Sequence, residues 1–116
     1  MIPNGTNVSC PDVTIPNGTN VSNIMDQTVI SDAYSLTLYA PGTLDAHTFN
    51  IEVSRDKNAT SASTWFTLNN GVATVTAPST ASVAIVYPYP HWGSFRIKDA
   101  TGTVAADRTW KLTKNA

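Results

Sequence analysis

The sequence predicts an all-β protein built as a single antiparallel β-sandwich or jelly roll. From Thr28 onward, apolar and polar residues alternate with period two, which is the pattern of half-buried strands. Turn signals rich in Gly, Pro and Asn recur about every 8 to 12 residues, as they do in sandwiches. At 116 residues the chain fits one domain. Alternation alone does not decide between a jelly-roll and an immunoglobulin-like order of strands.

The first half of the domain contains two predicted strands. One covers residues 34–39, and it ends at Ala40-Pro41-Gly42 because Pro lacks a ladder donor and Gly permits a turn. The next covers residues 49–54 and is followed by a polar loop, residues 55–63. Alternation in these two strands predicts that the apolar face consists of Tyr34, Leu36, Leu38, Phe49, Ile51 and Val53.

A hairpin is predicted in the middle of the chain. Residues 65–68 form its first strand, and Asn69-Asn70-Gly71 favours a tight turn because Asn and Gly accept positive φ. Residues 72–77 should return antiparallel to that strand. Pro78 then removes a ladder donor, so residues 78–81 are expected to form a turn.

The last third of the chain contains three more predicted strands. Residues 82–87 are a β-branched run that we expect to be buried on both faces. Residues 94–98 and a final strand around Trp110 and Leu112 place apolar groups inward and Arg or Lys outward. We expect these last two strands to be neighbours near a sheet edge, where Lys discourages aggregation.

Residues 1–27 are predicted to form an extended arm outside the sandwich domain, which covers residues 28–116. The octapeptide IPNGTNVS occurs twice in the arm, at 2–9 and at 15–22, and each copy combines a Pro with a turn-prone Asn-Gly step. We expect the two copies to contact a partner at two places. A duplication without function and a compact hairpin are the alternatives. The predicted partner-binding residues are Ile2, Pro3, Asn4, Val8, Ile15, Pro16, Asn17 and Val21.

Composition and motifs favour a protein that is not an enzyme. Charged residues make up 13% of the chain and the net charge is −1, so no basic patch for nucleic acid is expected. His47 and His91 lack partners at metal-ligand spacing, and no phosphate loop or nucleophile motif is present. We predict no catalytic residue, no metal and no cofactor.

The cysteine count and the hydropathy pattern bear on where the chain folds. Cys10 is the single cysteine, so no disulfide can form within the chain. No apolar run approaches the roughly 20 residues of a membrane span, and the first residues do not have the pattern of a signal peptide. We expect the protein to be made in a reducing cytoplasm and not to bind a membrane.

The segment Tyr87-Pro88-Tyr89-Pro90-His91-Trp92 is the most unusual part of the domain. Its two prolines stiffen the chain and remove two ladder donors. Rigid aromatic side chains are suited to protein interfaces and also to stacking on a sugar ring. The structural alternative is that Trp92 folds back and closes one end of the sandwich. The candidate interface or sugar-stacking residues are Tyr87, Tyr89, His91 and Trp92.

The organisation of the chain resembles that of small decoration, or cement, proteins of tailed-phage capsids. The matching features are the Pro- and Asn-rich arm ahead of a lone sandwich and the Thr-rich strands at residues 35–40 and 105–113. The resemblance implies a virion protein on the capsid surface that binds the major capsid protein as a dimer or trimer at a symmetry axis and stabilises the shell. A carbohydrate-binding or adhesin module and an immunoglobulin-like tail or fibre appendage are the alternative functions.

Overall fold

Strands dominate the structure, a computed structural model that describes residues 7–116. Two antiparallel sheets form the sandwich that the alternation predicts, with one short helix near the start of the chain. The elements, in chain order, are β1 (Asn7–Ile15), α1 (Gln27–Ile30), β2 (Ser35–Tyr39), β3 (Phe49–Ser54), β4 (Phe66–Thr67), β5 (Ala84–Pro88), β6 (Ser94–Asp99) and β7 (Arg108–Asn115).

The strand order is that of a jelly roll. One sheet has the order β1-β7-β2-β5 and the other has the order β4-β3-β6. Residues 21–25 extend the second sheet, because Val21 bridges to Lys98 and Met25 bridges to Phe95 on β6. Counting residues 21–25, the fold has eight strands. β1 pairs with β7, residues 21–25 pair with β6, β2 pairs with β5, and β3 pairs with β4. This is the jelly-roll arrangement. An immunoglobulin-like order would instead place β1 beside the strand that follows it.

The core lies between the two sheets and is filled from the alternating faces of the strands. Trp110 is fully buried, packs edge-to-face on Phe49 at 5.0 Å between ring centroids, and donates its indole N–H to the Pro78 carbonyl at 3.0 Å. The buried indole N–H is thus satisfied. The alternation correctly predicts as core residues Leu36, Leu38, Phe49, Ile51, Phe95, Ile97, Trp110 and Leu112.

Some details of the alternation differ in the structure. Tyr34 precedes β2 and is 55% exposed. Glu52 is buried although it points away from the predicted apolar face, because Arg96 donates to it at 2.8 Å across the β3–β6 pair. A buried carboxylate is tolerable where a guanidinium is hydrogen-bonded to it.

The arm prediction is wrong for residues 7–27. β1 pairs with β7 along its length, and Val13 and Ile15 are fully buried in the core. Met25, 2% exposed, and Ile30 also belong to the core. These apolar side chains draw the segment into the sandwich, since their burial stabilises the fold by about 1.5–3 kcal/mol each. The predicted arm residues 1–6 lie outside the described residues.

The second copy of the octapeptide is a turn between the two sheets. Thr19 donates its backbone N–H and its hydroxyl to the Pro16 carbonyl, and Gly18 has φ +78°. Asn17 N–H bonds the Asp107 carboxylate at 2.8 Å, and Gly18 N–H bonds the Val104 carbonyl at 2.9 Å. The Asn-Gly step does form the turn that its residue types favour, but this turn is docked on the body.

Two predictions for the later strands are also wrong. β5 is the edge of its sheet, and Val86 is 59% exposed, so the run is not buried on both faces. β6 and β7 lie in different sheets, and β7 is central, between β1 and β2. Period-two alternation identifies strands and their inward faces, but it carries no information about which strands become neighbours.

The central hairpin is confirmed at its turn. Asn70 N–H bonds the Ala73 carbonyl, the Asn70 side chain accepts from Val72 and Ala73, and Gly71 has φ +91°. The strands beside the turn are shorter than predicted. β4 consists of two residues, Phe66 and Thr67. In the return segment, Thr74 forms an isolated bridge to Asn69, and Thr76 forms one to Asn50 of β3.

Candidate functional site

Charge is distributed unevenly along the chain. Residues 58–95, about a third of the sequence, contain no Asp, Glu, Lys or Arg. All charged residues fall in 12–57 and 96–114. The uncharged segment, residues 58–95, includes β4, the hairpin at 69–75 and β5.

The fold brings that region together on one side of the sandwich. β4 and β5 are the edge strands of their respective sheets, and the Tyr87 hydroxyl on β5 bonds the Thr76 carbonyl at 2.5 Å. We call β4, the 69–75 hairpin and the segment from Val83 to Tyr89 the uncharged side. Its exposed large apolar and aromatic residues are Phe66, Val72, Val83, Val86 and Tyr89.

A groove of about 370 Å³ opens on the uncharged side between the hairpin and the end of β5. Tyr87 and Trp92 form its aromatic wall, with ring centroids 5.4 Å apart and the rings edge-to-face. Trp92 in turn packs edge-to-face on Phe95 at 5.3 Å. Rings held in this way present a preformed apolar surface to a partner. The other lining residues are Leu68, Asn69, Asn70, Val75 and Pro88.

Burial raises the pKa of the Tyr87 hydroxyl well above its ordinary value of 10. In the unfolded chain this hydroxyl ionises near that value, whereas in the folded protein it stays protonated. The stabilisation from Tyr87 is therefore present below pH 10 and is lost as the pH rises above it, by about 1.4 kcal/mol per pH unit.

We expect Tyr87→Phe to change the alkaline stability of the protein. Near pH 8 the variant should unfold at lower urea concentration, since it loses one hydrogen bond worth about 1 kcal/mol. At pH 11 the difference in unfolding free energy from wild type should shrink or reverse, because Phe does not ionise. A difference that stays the same at both pH values would contradict this account of Tyr87.

A second, shallower cleft of about 300 Å³ lies beside the groove and shares Pro88 with it. Tyr34 and Tyr89 stand at this cleft, 55% and 67% exposed, and Ser35 and Asn115 supply polar groups. Two backbone bonds fix the aromatic pair. Tyr89 N–H donates to the Tyr34 carbonyl at 2.7 Å, and Tyr34 N–H donates to the Asn115 carbonyl at 2.7 Å.

Tyr89 has a left-handed backbone conformation, with φ +46°. A bulky residue rarely adopts positive φ, and this conformation costs about 1–3 kcal/mol. The neighbouring Pro88 and Pro90 restrict the backbone around it. This backbone conformation turns the Tyr89 ring away from the core and into solvent, although Tyr87, two residues earlier, is buried.

The structure separates the four residues predicted as aromatic interface or sugar contacts. Tyr89 and His91 are exposed, whereas Tyr87 is 7% exposed and Trp92 is half-buried against the core. Trp92 therefore packs back against the core. Its indole contributes a wall of the groove rather than a free stacking platform.

The predicted partner-binding residues of the arm are also dispersed. Ile2, Pro3 and Asn4 lie outside the described residues. Val8, Pro16 and Asn17 are exposed, and Val21 is half-buried beside β6. Ile15 is fully buried in its own core, so its side chain cannot enter a pocket on a partner.

His47 takes part in a structural pair. Its Nδ1 lies 2.6 Å from the buried Asp99 carboxylate, which also accepts the N–H groups of Thr101 and Gly102. This cluster closes the turn after β6. Among residues 7–116 no group of three or more His, Cys, Asp or Glu side chains is placed to hold a metal ion. No helix in that part of the chain is long and apolar enough to cross a membrane.

Comparison with known proteins returns no relationship for this chain. No protein-family model matches it, and no curated protein or solved structure shows significant similarity to it. The uncharged side was missed by reasoning from individual motifs, although the absence of charge over residues 58–95 is visible in the sequence.

Proposed function

We propose that this chain is a non-enzymatic structural protein of a virion, which docks on the outside of a phage capsid and stabilises the shell. The observation that carries the proposal is the uncharged side, where five large apolar or aromatic residues are exposed. The cores of protein interfaces are depleted of charged residues and enriched in aromatic ones. The major capsid protein is the partner we propose for this side.

The energetics of desolvation favour this surface for docking. Taking a charged side chain out of water costs several kcal/mol unless it is paired. None of the residues of the uncharged side is itself charged, and the charged residues Arg55 and Asp56 lie beside Phe66. Its backbone is also stiff near the groove, because Pro78, Pro88 and Pro90 restrict it. A stiff surface loses little entropy on binding, which improves affinity for a given area of contact.

The position of the N-terminal repeat changes the proposed mode of attachment. Bivalent binding through two identical arms requires both copies to be free, and the second copy is a turn on the body with Ile15 in the core. We therefore assign attachment to the uncharged side, which belongs to the folded domain. Of the predicted arm residues, Ile2, Pro3 and Asn4 remain candidates for an additional contact.

Co-sedimentation with capsids of the phage that encodes the chain, stripped of accessory proteins, tests the proposal. We expect saturable binding at a stoichiometry set by a symmetry axis. Val72→Lys should weaken binding at least tenfold without affecting folding, since this hairpin side chain is 92% exposed. Val8→Lys, on the far edge of the same protein, is the matched control and should bind like wild type. Failure of the wild-type protein to bind would overturn the proposed function.

Carbohydrate binding is a second candidate, favoured by the cleft between Tyr34 and Tyr89. Two exposed rings flanked by the polar groups of Ser35 and Asn115 match the chemistry of a sugar, which has apolar faces and hydroxyl edges. Trp92→Ala is unsuitable as a test because Trp92 packs on the core. Glycan-array binding that is lost in Tyr89→Ala and kept in Tyr39→Ala would support this function.

The strand order of this chain differs from the order expected of an immunoglobulin-like appendage. An immunoglobulin-like sandwich pairs its first strand with its second, whereas β1 of this chain pairs with β7, the last strand. A location on a tail or fibre is therefore tested by imaging the particle. Labelling of the chain on intact virions would show its position directly.

A further inference from the structure

β5 has unpaired main-chain groups along its outer edge. Val83 accepts a bond from Ala40, and Tyr89 donates one to Tyr34, so the odd-numbered residues of this segment face β2. Hydrogen bonding alternates along an antiparallel strand. The N–H and C=O groups of Ala84 and Val86 therefore point away from the sheet, where no neighbouring strand is present among the described residues.

Over Ala84–Tyr87 this edge lacks the features that normally prevent pairing with another chain, and Pro88, which has no N–H, ends the strand. Edge strands are usually interrupted by bulges or carry charged side chains, and β5 has neither over Ala84–Tyr87. The opposite edge of the same sheet is protected. β1 contains Pro11 and a register shift between Cys10 and Val13, and the Asn23 side chain bonds its outer backbone at Asp12 and Thr14.

We propose that β5 pairs with β5 of a second copy of this chain, antiparallel across a two-fold axis, so that the two four-stranded sheets become continuous. An antiparallel strand pair is self-complementary under a two-fold axis, as an isologous dimer requires. No charged side chain on β5 would meet its own like charge at that axis. The dimer shares Val83 and Val86 with the proposed docking surface, but the mass of the isolated protein tests it without capsids or sugars.

The register follows from the available donors. If Ala84 is placed opposite Val86 of the second copy, both outward N–H groups and both outward C=O groups of each strand are used, which gives four main-chain bonds. Pro88 has no N–H and would lie at the end of the paired segment, which limits its length. Val83 and Val86, 40% and 59% exposed, would lose much of their exposure to water.

The mass of the full chain, measured by light scattering over a range of concentrations, tests the dimer. We expect concentration-dependent dimerisation of wild type. Val86→Lys should weaken it at least tenfold, and Val72→Lys, the same change on the hairpin away from the edge, should leave it unchanged. Mixing Val86→Lys with Val86→Glu should restore association, because residues 86 of the two copies are diagonal neighbours on one face and opposite charges there attract.

Amide hydrogen exchange distinguishes edge pairing from other kinds of association. The outward N–H groups of Ala84 and Val86 should exchange slowly at high protein concentration and fast at low concentration. Those of Ile85 and Tyr87, which face β2, should be protected at both concentrations. A wild-type chain that stays monomeric at millimolar concentration would overturn the proposal. So would a dimer in which Ala84 and Val86 exchange as fast as in the monomer.

Discussion

Deletion of residues 1–14 is expected to unfold the sandwich. The deletion removes most of β1, including the fully buried Val13, and it uncovers the inner side chains of β7, Trp110 and Leu112. Burial of each such side chain contributes about 1.5–3 kcal/mol, and the ladder with β7 is lost as well. The total is a large fraction of the 5–15 kcal/mol that stabilises a typical domain.

Urea unfolding followed by tryptophan fluorescence is the appropriate measurement. We expect the variant lacking residues 1–14 to show no cooperative transition, or one shifted to much lower urea. Removal of residues 1–6 alone is the control and should leave the transition close to that of the full chain, because it retains Asn7–Ile15 of β1 with the buried Val13 and Ile15. A cooperative transition at the wild-type midpoint in the longer deletion would contradict the placement of β1 in the sandwich.

Gly93→Ala is expected to destabilise the protein by about 2–4 kcal/mol. A methyl group on this residue would overlap the carbonyl oxygen of Ser54 at the end of β3. The methyl group is attached directly to the Gly93 backbone and the carbonyl is part of the Ser54 backbone, so neither can rotate away and the β3–β6 pair must open. The same shift would disturb Trp92, which packs on Phe95 just beyond this point.

Gly42→Ala is the matched control for that substitution. No atom lies within 4 Å of a methyl group built at Gly42, and its φ is not positive. Its free energy of unfolding, from chemical denaturation, should stay within about 0.5 kcal/mol of the wild-type value. Equal effects of the two substitutions would show that loss of glycine flexibility, rather than overlap with Ser54, governs the result.

The inward faces of the strands follow from the sequence wherever alternation is long enough. Leu36 and Leu38 of β2 and Phe95 and Ile97 of β6 are predicted and observed in the core. The hairpin turn at Asn70 is predicted from residue type alone, since Asn and Gly accept the conformation that the turn requires. These features depend on the local conformational preferences of the residues, which can be inferred from a single sequence.

The N-terminal strand illustrates what local patterns do not contain. Val13 and Ile15 alternate, but two apolar residues beside a polar repeat give a weak periodic signal, and their burial depends on β7, nearly a hundred residues away. The exposed position of β5 has the same origin. Its β-branched residues suit either a central or an edge strand, and only the strand order places it at the edge.

The aromatic segment was predicted as a site, but the roles of its members follow from backbone geometry. Tyr87 and Tyr89 are separated by one residue and would share a face of a regular strand. The positive φ of Tyr89 breaks that regularity, so Tyr87 is buried and Tyr89 is exposed. Conformational strain of this kind is imposed by the surrounding fold and is not encoded by residue type.

The central position of β7 constrains how the chain is assembled during synthesis. β7 lies between β1 and β2, so residues 108–115 join the earliest part of the chain to the rest of its sheet. Pairing over such sequence separations is slow, because a long loop must close before its contacts form. Until β7 has been synthesised, β1 lacks the strand that it pairs with. The nascent protein therefore stays without its larger sheet until residue 115 has left the ribosome, and it depends until then on protection from aggregation.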